Sequence, residues 1–365
     1  MPNETPNGSP GHQAAADDRT LADDGTASDG QAAPVGSPRI VFMGTPEFAV
    51  ASLDAIVQAG YNVVGVVTAP DKPAGRGMQL TESAVKKYAV TRGLFLLQPE
   101  KLRDPGFLDA LRGLRADLQI VVAFRMLPEL VWNMPPMGTV NLHGSLLPQY
   151  RGAAPINWAV INGETVTGVT TFKLQQEIDT GGILLQESFP VSATDTAGDV
   201  HDRMKEIGAQ LLVRTIQGLV AGTLHSVPQQ NPPDLKHAPK IFTETCRIDW
   251  GRSTAEIYNL IRGLSPFPAA FTELDGKMLK IFRSEKELRS SGSGMAASSG
   301  GSAGASSGGG AAVSSGVAAA SYDTDGKTYL RFATADGFIR VTELQLEGKK
   351  KMGVEEFLRG YRFKG

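Results

Sequence analysis

Short apolar runs alternate with amphipathic stretches through the first half of the chain. The runs typical of buried strands cover residues 39–43, 62–68, 94–97, 118–122 and 139–142. Between them the apolar spacing is helical, as in residues 82–92. Fully apolar strands that alternate with helices are typical of a parallel sheet covered on both faces. The pattern therefore predicts an α/β fold built on a doubly wound, mostly parallel, Rossmann-like sheet.

The first predicted helix follows directly on the first strand. We expect Thr45 at its N-cap, Pro46 at its first helical position and Glu47 in its first turn. A dinucleotide-binding fingerprint would need three glycines where this turn has only Gly44, so the turn is interpreted as structural. The sequence contains neither a P-loop nor a cluster of metal ligands.

A different pattern follows a predicted helix at 197–220. Prolines mark residues 227–240 as part of an interdomain linker, and a short helix is expected near 254–262. Two pairs of strand-like segments then flank Asp275-Gly276 and Asp336-Gly337, and an Asp-Gly pair in this setting is a strong hairpin signal. Several short strands with one helix predict a small, open β-barrel of the oligonucleotide-binding kind.

Two segments have too few large apolar side chains to form a core. Residues 1–38 and 290–321 consist largely of small and polar residues, which favours a disordered tail and a flexible insertion. A domain boundary is the alternative for the second segment. The predicted division is a tail at 1–38, an α/β domain at 39–224, a linker at 225–240 and a C-terminal barrel at 241–365 that carries the insertion.

Composition and charge limit the class of protein. Residues 1–38 carry six acidic and one basic side chain, whereas 19 basic and 14 acidic residues lie from Lys236 onward. That basic surplus permits an anionic partner without requiring one. The single cysteine, Cys246, excludes an intramolecular disulfide and a multi-cysteine metal site. Because the sequence has neither a membrane-length apolar run nor a signal-like N-terminus, we expect a cytoplasmic protein with no membrane partner.

An amide, an imidazole and a carboxylate are the candidate chemical groups. Asn141 and His143 lie two residues apart at the end of a predicted strand, so their side chains point the same way. Ligands of open α/β sheets bind at such carboxyl strand ends. Asp179 lies in a turn between strand-like segments at 169–174 and 183–187. By residue type alone, a lone histidine is more often structural and an aspartate before glycine is more often a turn former.

Together these three side chains suit the direct transfer of an acyl group to an amine. The amide can donate to a developing oxyanion, the imidazole can move a proton, and the carboxylate can fix the tautomer and charge of the imidazole. No serine or cysteine nucleophile occurs in an activated setting. We therefore expect a reaction without a protein-bound intermediate.

Around this trio the sequence resembles the folate-dependent formyltransferases. The resemblance rests on Asn-Leu-His-Gly-Ser-Leu-Leu-Pro-Gln-Tyr-Arg-Gly-Ala-Ala-Pro at 141–155 and on Ile-Asp-Thr-Gly-Gly at 178–182. It implies catalytic roles for Asn141, His143 and Asp179. It also implies that a monomeric, metal-free enzyme transfers the formyl group of 10-formyltetrahydrofolate to the amine of initiator methionyl-tRNA, for translation initiation.

The resemblance further implies a folate pocket. The matching positions are Ser145, Leu146, Leu147 and Pro148 in the turn after His143, Phe124, Arg125, Met126 and Leu127 beside the pterin, and Thr180 and Gly181 in the facing wall. Ordinary packing at a strand end is the alternative for 124–127. This segment departs from the family pattern. Residues 123–128 read Ala-Phe-Arg-Met-Leu-Pro, whereas the relatives have Tyr-Gly and one extra residue before the Leu-Pro.

The implied contacts with tRNA are basic side chains. Lys72 and Arg76 lie in a cationic loop at 71–77, which resembles one that members acting on methionyl-tRNA add to the shared domain. Arg76 would reach the acceptor end. The other matching basic residues are Lys240 in the linker and Lys349, Lys350 and Lys351 near the C-terminus. Such contacts position a nucleic acid through its phosphates rather than read its bases.

Two other functions fit some of these residues. Formyl transfer to a small amine, such as a ribonucleotide or an aminosugar, would use the same α/β domain but would need neither the Arg76 loop nor the barrel. A non-catalytic RNA-binding or folate-sensing module would not need Asn141, His143 and Asp179 together. An assay with formyl-folate and charged initiator tRNA, run against free methionine and small amines, separates the three functions.

Overall fold

The computed structural model describes residues 37–74, 79–288 and 321–363, which belong to one compact unit. Most of the predicted tail, most of the predicted insertion and the side chain of Arg76 lie outside the described residues. The strands are β1 Arg39–Gly44, β2 Asn62–Val67, β3 Lys72–Ala74, β4 Gln79–Thr81, β5 Leu96–Leu97, β6 Leu118–Val122, β7 Thr139–His143, β8 Arg151–Gly152, β9 Val166–Lys173, β10 Ile183–Pro190, β11 His237–Ala238, β12 Ala270–Leu274, β13 Lys277–Leu288, β14 Tyr322–Thr324, β15 Leu330–Ala333, β16 Gly337–Leu346 and β17 Met352–Gly353. The helices are α1 Glu47–Gln58, α2 Ala84–Thr91, α3 Pro105–Gly113, α4 Glu129–Trp132, α5 Pro155–Ile161, α6 Ala197–Val220, α7 Thr254–Gly263 and α8 Val354–Gly360, with a 3₁₀ turn at Glu244–Cys246.

Seven strands form the first sheet, in the order β10-β9-β7-β6-β1-β2-β5. The five strands from β7 to β5 run parallel, whereas β9 pairs antiparallel with both β7 and β10. The carboxyl ends of the parallel strands therefore meet at one edge, where β7 delivers His143. This arrangement confirms the predicted mostly parallel sheet.

Apolar side chains cover both faces of this sheet. On one face Phe42 and Leu142 pack with residues of α1, α2 and α6, such as Met204. On the other face Met43 and Val121 pack with residues of α3 and α4. Fully burying such a side chain contributes roughly 1.5–3 kcal/mol to stability. Because helices lie on both faces, the predicted doubly wound class is confirmed.

The C-terminal strands form a second, antiparallel sheet in the order β12-β13-β16-β15-β14, with β17 added beside β16. Two of its hairpins turn at Asp275-Gly276 and next to Asp336-Gly337, as predicted from the Asp-Gly pairs. Helices α7 and α8 close its apolar core with Ile257 and Phe357. The sheet curves as a half-barrel, which fits the small β-domain expected there.

One local expectation needs correction. Helix α1 begins at Glu47 with Pro46 in the N-cap position, and no side chain caps it, so the assignment of Thr45 as N-cap was wrong. The region predicted as a linker contains β11, which pairs in parallel with β8; the division of the chain there stays a prediction. Among the described residues, no helix is both long and apolar enough to cross a membrane.

Candidate active site

The end of β7 places Asn141 and His143 on the same side of the sheet, as the two-residue spacing predicts. Both side chains line a cavity of about 600 Å³ at the carboxyl edge of the parallel strands, and Asp179 lines it as well. His143 is buried, whereas Asn141 is half-buried. Among the described residues, the Asn141 side chain has no hydrogen-bond partner, so its amide group is available to a ligand in the cavity.

The imidazole of His143 is held from both sides. Its Nε2 lies 2.9 Å from the carbonyl oxygen of Tyr150. Because a carbonyl only accepts, Nε2 must carry the proton of this hydrogen bond. The other ring nitrogen, Nδ1, lies 3.7 Å from Oδ2 of Asp179. The ring edge opposite Tyr150 therefore faces a carboxylate.

Asp179 is placed by a strained turn between β9 and β10. Its φ is +55°, a left-handed conformation that is uncommon for residues other than glycine. Its Oδ2 accepts a hydrogen bond of 2.9 Å from the backbone N–H of Gly152, which follows Tyr150 by two residues. The segment 150–152 thus fixes both the imidazole and the carboxylate, and the structure brings the predicted trio together around one cavity.

The turn after His143 lies beneath the site rather than in its wall. Ser145 donates from Oγ to the Gln149 carbonyl at 2.6 Å and is fully buried, and Leu147 is buried as well. Thr170 on β9 donates to the Ser145 carbonyl and accepts from the Leu147 backbone N–H. Leu146 and Pro148 also do not line the cavity. Their contact with folate stays a prediction, as do those of Ser145 and Leu147.

The segment 124–127 does line the cavity. The guanidinium of Arg125 donates to the carbonyls of Pro99 and Glu100 and lies 5.6 Å from the Phe124 ring centre. Burial lowers the pKa of Arg125. Leu127 is buried, whereas Met126 is exposed. This wall is mainly apolar, with one cation anchored at its edge.

Thr180 and Gly181 support the Asp179 turn and do not line the cavity. The Thr180 hydroxyl donates to the Glu177 carbonyl and accepts from the Gln175 amide. A Cβ atom at position 181 would lie 1.7 Å from the Lys173 carbonyl oxygen, so this position requires glycine. Their contacts with folate stay predictions.

Of the basic residues predicted to contact tRNA, those that the structure describes lie at the surface and do not line the cavity. Lys72 is exposed on β3, and Lys240 places its ammonium 5.5 Å from the ring centre of Phe242. Lys349 and Lys350 are exposed after β16, whereas Lys351 forms an ion pair of 3.0 Å with Glu343. Arg76 lies outside the described residues.

Several residues of the site were missed in the sequence. Pro46, Trp132, Asn157 and His201 also line the cavity. His201 lies on α6, and its ring packs against that of Phe48 at 5.2 Å between ring centres. Gln229 lies in the predicted linker, yet it donates hydrogen bonds to the carbonyls of Asp179 and Gly181. No local signal marks that contact, because the partners are far apart in sequence.

Two family models match the chain. One, described as formyl transferase, matches residues 38–216, and one described as formyl transferase, C-terminal domain, matches residues 240–362. Together they span well over half of the chain. The boundaries of the matched models coincide broadly with the two sheets.

Curated relatives and solved structures point the same way. The chain is 53% identical over 334 residues to a methionyl-tRNA formyltransferase from Parabacteroides distasonis, with 89% of this chain and 96% of the relative covered. It is 51% identical over 331 residues to one from Bacteroides fragilis, with 88% and 95% covered. The N-formyltransferase from Helicobacter canadensis, solved with folinic acid and dTDP-3-aminofucose, is 19% identical, with 86% of this chain and 100% of that chain covered at a TM-score of 0.57. That structural match shows a shared fold.

Proposed function

The chain belongs to the formyl transferase family, and we propose that it transfers the formyl group of 10-formyltetrahydrofolate to the amino group of methionyl-initiator tRNA, for translation initiation. Its relatives named methionyl-tRNA formyltransferase match along 95–96% of their own length. The observation that carries the proposal is the approach of His143 Nδ1 to Asp179 Oδ2 at 3.7 Å, beside Asn141 in one cavity.

The size and lining of the cavity support a folate co-substrate. Its volume of about 600 Å³ lies within the usual range of small-molecule sites, roughly 300–1,000 Å³. Apolar side chains such as Phe124 and Leu127 form a surface on which a flat heterocycle can pack. Asn141, His143 and Asp179 supply polar groups in the same cavity. The folate would supply a formyl group on N10, and the remaining chemistry belongs to these three residues.

Asn141 would stabilise the charge that builds on the formyl oxygen. When the aminoacyl nitrogen attacks the formyl carbon, the carbonyl bond opens and its oxygen becomes negative. Because Asn141 has no hydrogen-bond partner among the described residues, its Nδ2–H₂ group can donate to that oxygen without first breaking a hydrogen bond. Donors fixed in this way stabilise the transition state more than the ground state.

His143 and Asp179 would handle charge and protons. Since Nε2 already donates to the Tyr150 carbonyl, only Nδ1 can form a hydrogen bond with a group in the cavity. A protonated ring would hold its Nδ1–H between the carboxylate and the developing oxyanion. Oδ2 of Asp179 accepts from Gly152, which leaves Oδ1 to order a water molecule. Through that water the proton of the attacking nitrogen would reach N10 as the C–N10 bond breaks.

The test of these roles is mutational. Removing one oxyanion donor typically costs about 10²–10³ in turnover, so Asn141→Ala and His143→Ala should each lower kcat by at least about a hundredfold. The fold should survive, as judged by an unchanged circular dichroism spectrum. His225→Ala, at an exposed histidine outside the cavity, is the matched control. Turnover of either site variant within about tenfold of the parent enzyme would contradict the assigned role.

The acceptor is tested with the unmodified enzyme. Formyl-folate is offered with methionyl initiator tRNA, with free methionine and with small amines, and the formylated product is measured. We expect transfer to the charged tRNA. Robust transfer to a small amine without transfer to tRNA would replace the proposed substrate, and absence of any transfer would overturn the enzymatic function.

A further inference from the structure

The side chain of Gln229 uses its full hydrogen-bonding capacity beside the catalytic pair. Its Nε2 donates to the carbonyl oxygens of Asp179 and Gly181, each at 2.8 Å. Its Oε1 accepts from Nε and Nη2 of Arg151, at 3.1 and 2.8 Å. An amide group offers two donor hydrogens and two acceptor lone pairs, so all four are engaged. Gln229 therefore ties the Asp179 turn to the segment that carries Arg151.

That second segment holds the reacting groups directly. The neighbours of Arg151 are Tyr150, whose carbonyl fixes His143, and Gly152, whose N–H fixes Asp179. The third guanidinium nitrogen of Arg151, Nη1, donates to Oδ1 of Asn231 at 3.0 Å. The segment after α6 that carries Gln229 and Asn231 thus forms hydrogen bonds with both the Asp179 turn and the segment 150–152.

Backbone contacts fix the segment that carries Gln229 on both sides. Before Gln229, Val227 exchanges two backbone hydrogen bonds of 2.8 Å with Ile183 at the start of β10. After it, β11 pairs with β8, and Gly152 lies so close that a Cβ there would come within 2.4 Å of the Ala238 carbonyl. Gln229 and Arg151 are therefore presented by backbone that cannot shift freely.

We propose that Gln229 and Arg151 are positioning residues, which hold Asp179 against His143 in the geometry that formyl transfer needs. Asp179 adopts a left-handed backbone conformation, which costs energy and persists only where surrounding contacts offset that cost. The two hydrogen bonds from Gln229 to the carbonyls on either side of Thr180 supply such contacts. The proposal rests on the proposed function, because its main readout is the rate of that reaction.

The chemistry of the amide gives a discriminating substitution. Gln229→Glu keeps the shape and gains a charge that pairs with Arg151, but it loses both donors. A carboxylate would then face the carbonyls of Asp179 and Gly181, which repel it. If Gln229 served only to hold Arg151 and support the fold, the glutamate variant would be as active as the parent enzyme.

The experiment compares Gln229→Ala and Gln229→Glu with Gln230→Ala, a matched control at the next, exposed glutamine. Because displacement of a reacting group by about 1 Å can cost roughly 10²-fold, we expect both Gln229 variants to lose about ten- to a hundredfold in kcat. The KM for charged tRNA and the thermal midpoint of Gln229→Glu should stay near those of the parent. Parent-like kcat in Gln229→Glu would overturn the proposal.

Two further measurements separate this proposal from the proposed function. Amide hydrogen exchange at residues 150–154 and 179–182 needs no substrate, and it should become faster in both Gln229 variants but not in Gln230→Ala. The variants Arg151→Ala and Arg151→Ala/Gln229→Ala complete a double-mutant cycle. We expect the fold-loss in kcat of the double variant to be far smaller than the product of the fold-losses of the two single variants. Unchanged exchange, or independent effects of the two residues, would contradict the proposal even in an enzyme that formylates tRNA.

Discussion

Tyr150 links the imidazole to a group of ionisable side chains behind the site. Its carbonyl accepts from His143, and its hydroxyl donates to Oε1 of Glu164 at 2.5 Å. Lys236 donates to the same carboxylate oxygen at 2.5 Å. Burial, and then the Glu164 carboxylate, raise the pKa of Tyr150. The backbone that orients His143 is thus supported by a charged pair whose ionisation depends on pH.

The stability of this arrangement should fall in acid. Burial alone would raise the pKa of Glu164, but hydrogen bonds from Lys236 and Tyr150 outweigh it and hold that pKa below its usual value. A carboxyl group whose pKa is depressed by folding stabilises the protein above its unfolded pKa, about 4.3 for glutamate. That contribution is lost as the pH falls through the lower, folded value.

The measurement is urea unfolding of the parent and of Glu164→Gln between neutral pH and pH 3. We expect the free energy of unfolding to fall less steeply with acid in the variant, because it lacks the titrating carboxylate. Glu355→Gln, at an exposed position on α8, is the control. An equally steep fall in Glu164→Gln would show that this carboxylate does not contribute to the acid sensitivity.

At the same scale, the sequence could reveal part of the site. Asn141 and His143 are near neighbours, so their shared direction follows from strand geometry. The place of Asp179 came from the family resemblance, because no local pattern relates it to His143. Gln229 was not predictable, since its contact with Asp179 joins residues 50 positions apart through side-chain and backbone groups of unremarkable type.

Among the secondary-structure elements, the sequence predicted long periodic segments well, but it did not predict a helix end and two very short strands. The strand at 118–122 and the helix at 197–220 have the bounds expected from their apolar spacing. The N-cap of α1 was misplaced because a favourable Thr-Pro-Glu pattern also fits a helix that begins one residue later. Strands β8 and β11 contain two residues each, and such short pairs depend on tertiary neighbours rather than on local pattern.

Helix α6 offers a test at the scale of an element. Thr196 forms a capping box with Asp199, in which its hydroxyl accepts from the Asp199 N–H at 3.2 Å and the Asp199 carboxylate accepts from the Thr196 N–H at 2.8 Å. The helix begins beside the C-terminal sheet, because Asp199 also lies 3.5 Å from Arg283 on β13. The cap therefore orders the helix start where two parts of the molecule meet.

Thr196→Ala should destabilise the protein by about 1 kcal/mol, the usual cost of removing a side-chain N-cap. Urea unfolding at neutral pH measures the change, and Thr194→Ala, an exposed threonine two residues earlier, is the control. A loss in Thr196→Ala no larger than that of the control would mean that packing along the 24-residue helix makes the cap dispensable.

At the scale of the whole molecule, the two sheets are joined by buried polar contacts. Arg262 on α7 is buried and donates to the Asp195 carbonyl at 3.0 Å, before α6. The Asn157 amide donates to the Gly263 carbonyl at 2.8 Å, and a Cβ at position 263 would lie 2.5 Å from Ile161. Helices α5 and α7 therefore pack closely. A large ligand that contacts both the first sheet's domain and the C-terminal domain would therefore bind to one continuous surface. The predicted domain boundary at 225–240 stays a prediction.

The C-terminal lysines predicted to contact tRNA differ in whether their charges are already paired within the protein. Lys351 is already paired with Glu343 at 3.0 Å and lies 5.2 Å from the ring centre of Phe282. The ammonium of Lys350 is exposed and has no ion-pair partner among the described residues. A phosphate contact made by Lys350 would release a counterion without breaking a bond within the protein, whereas Lys351 would first have to leave Glu343.

We therefore expect Lys350→Ala to weaken binding of initiator tRNA more than Lys351→Ala does. Each lost phosphate contact lowers the slope of log K against log salt by about one, so Lys350→Ala should reduce that slope by up to about one unit and Lys351→Ala by less. Filter binding across a salt series, with uncharged tRNA to exclude turnover, measures both slopes. The double variant Glu343→Gln/Lys350→Ala adds a control, because freeing Lys351 should restore part of the lost slope. Equal slopes for the parent and Lys350→Ala would remove this lysine from the predicted tRNA surface.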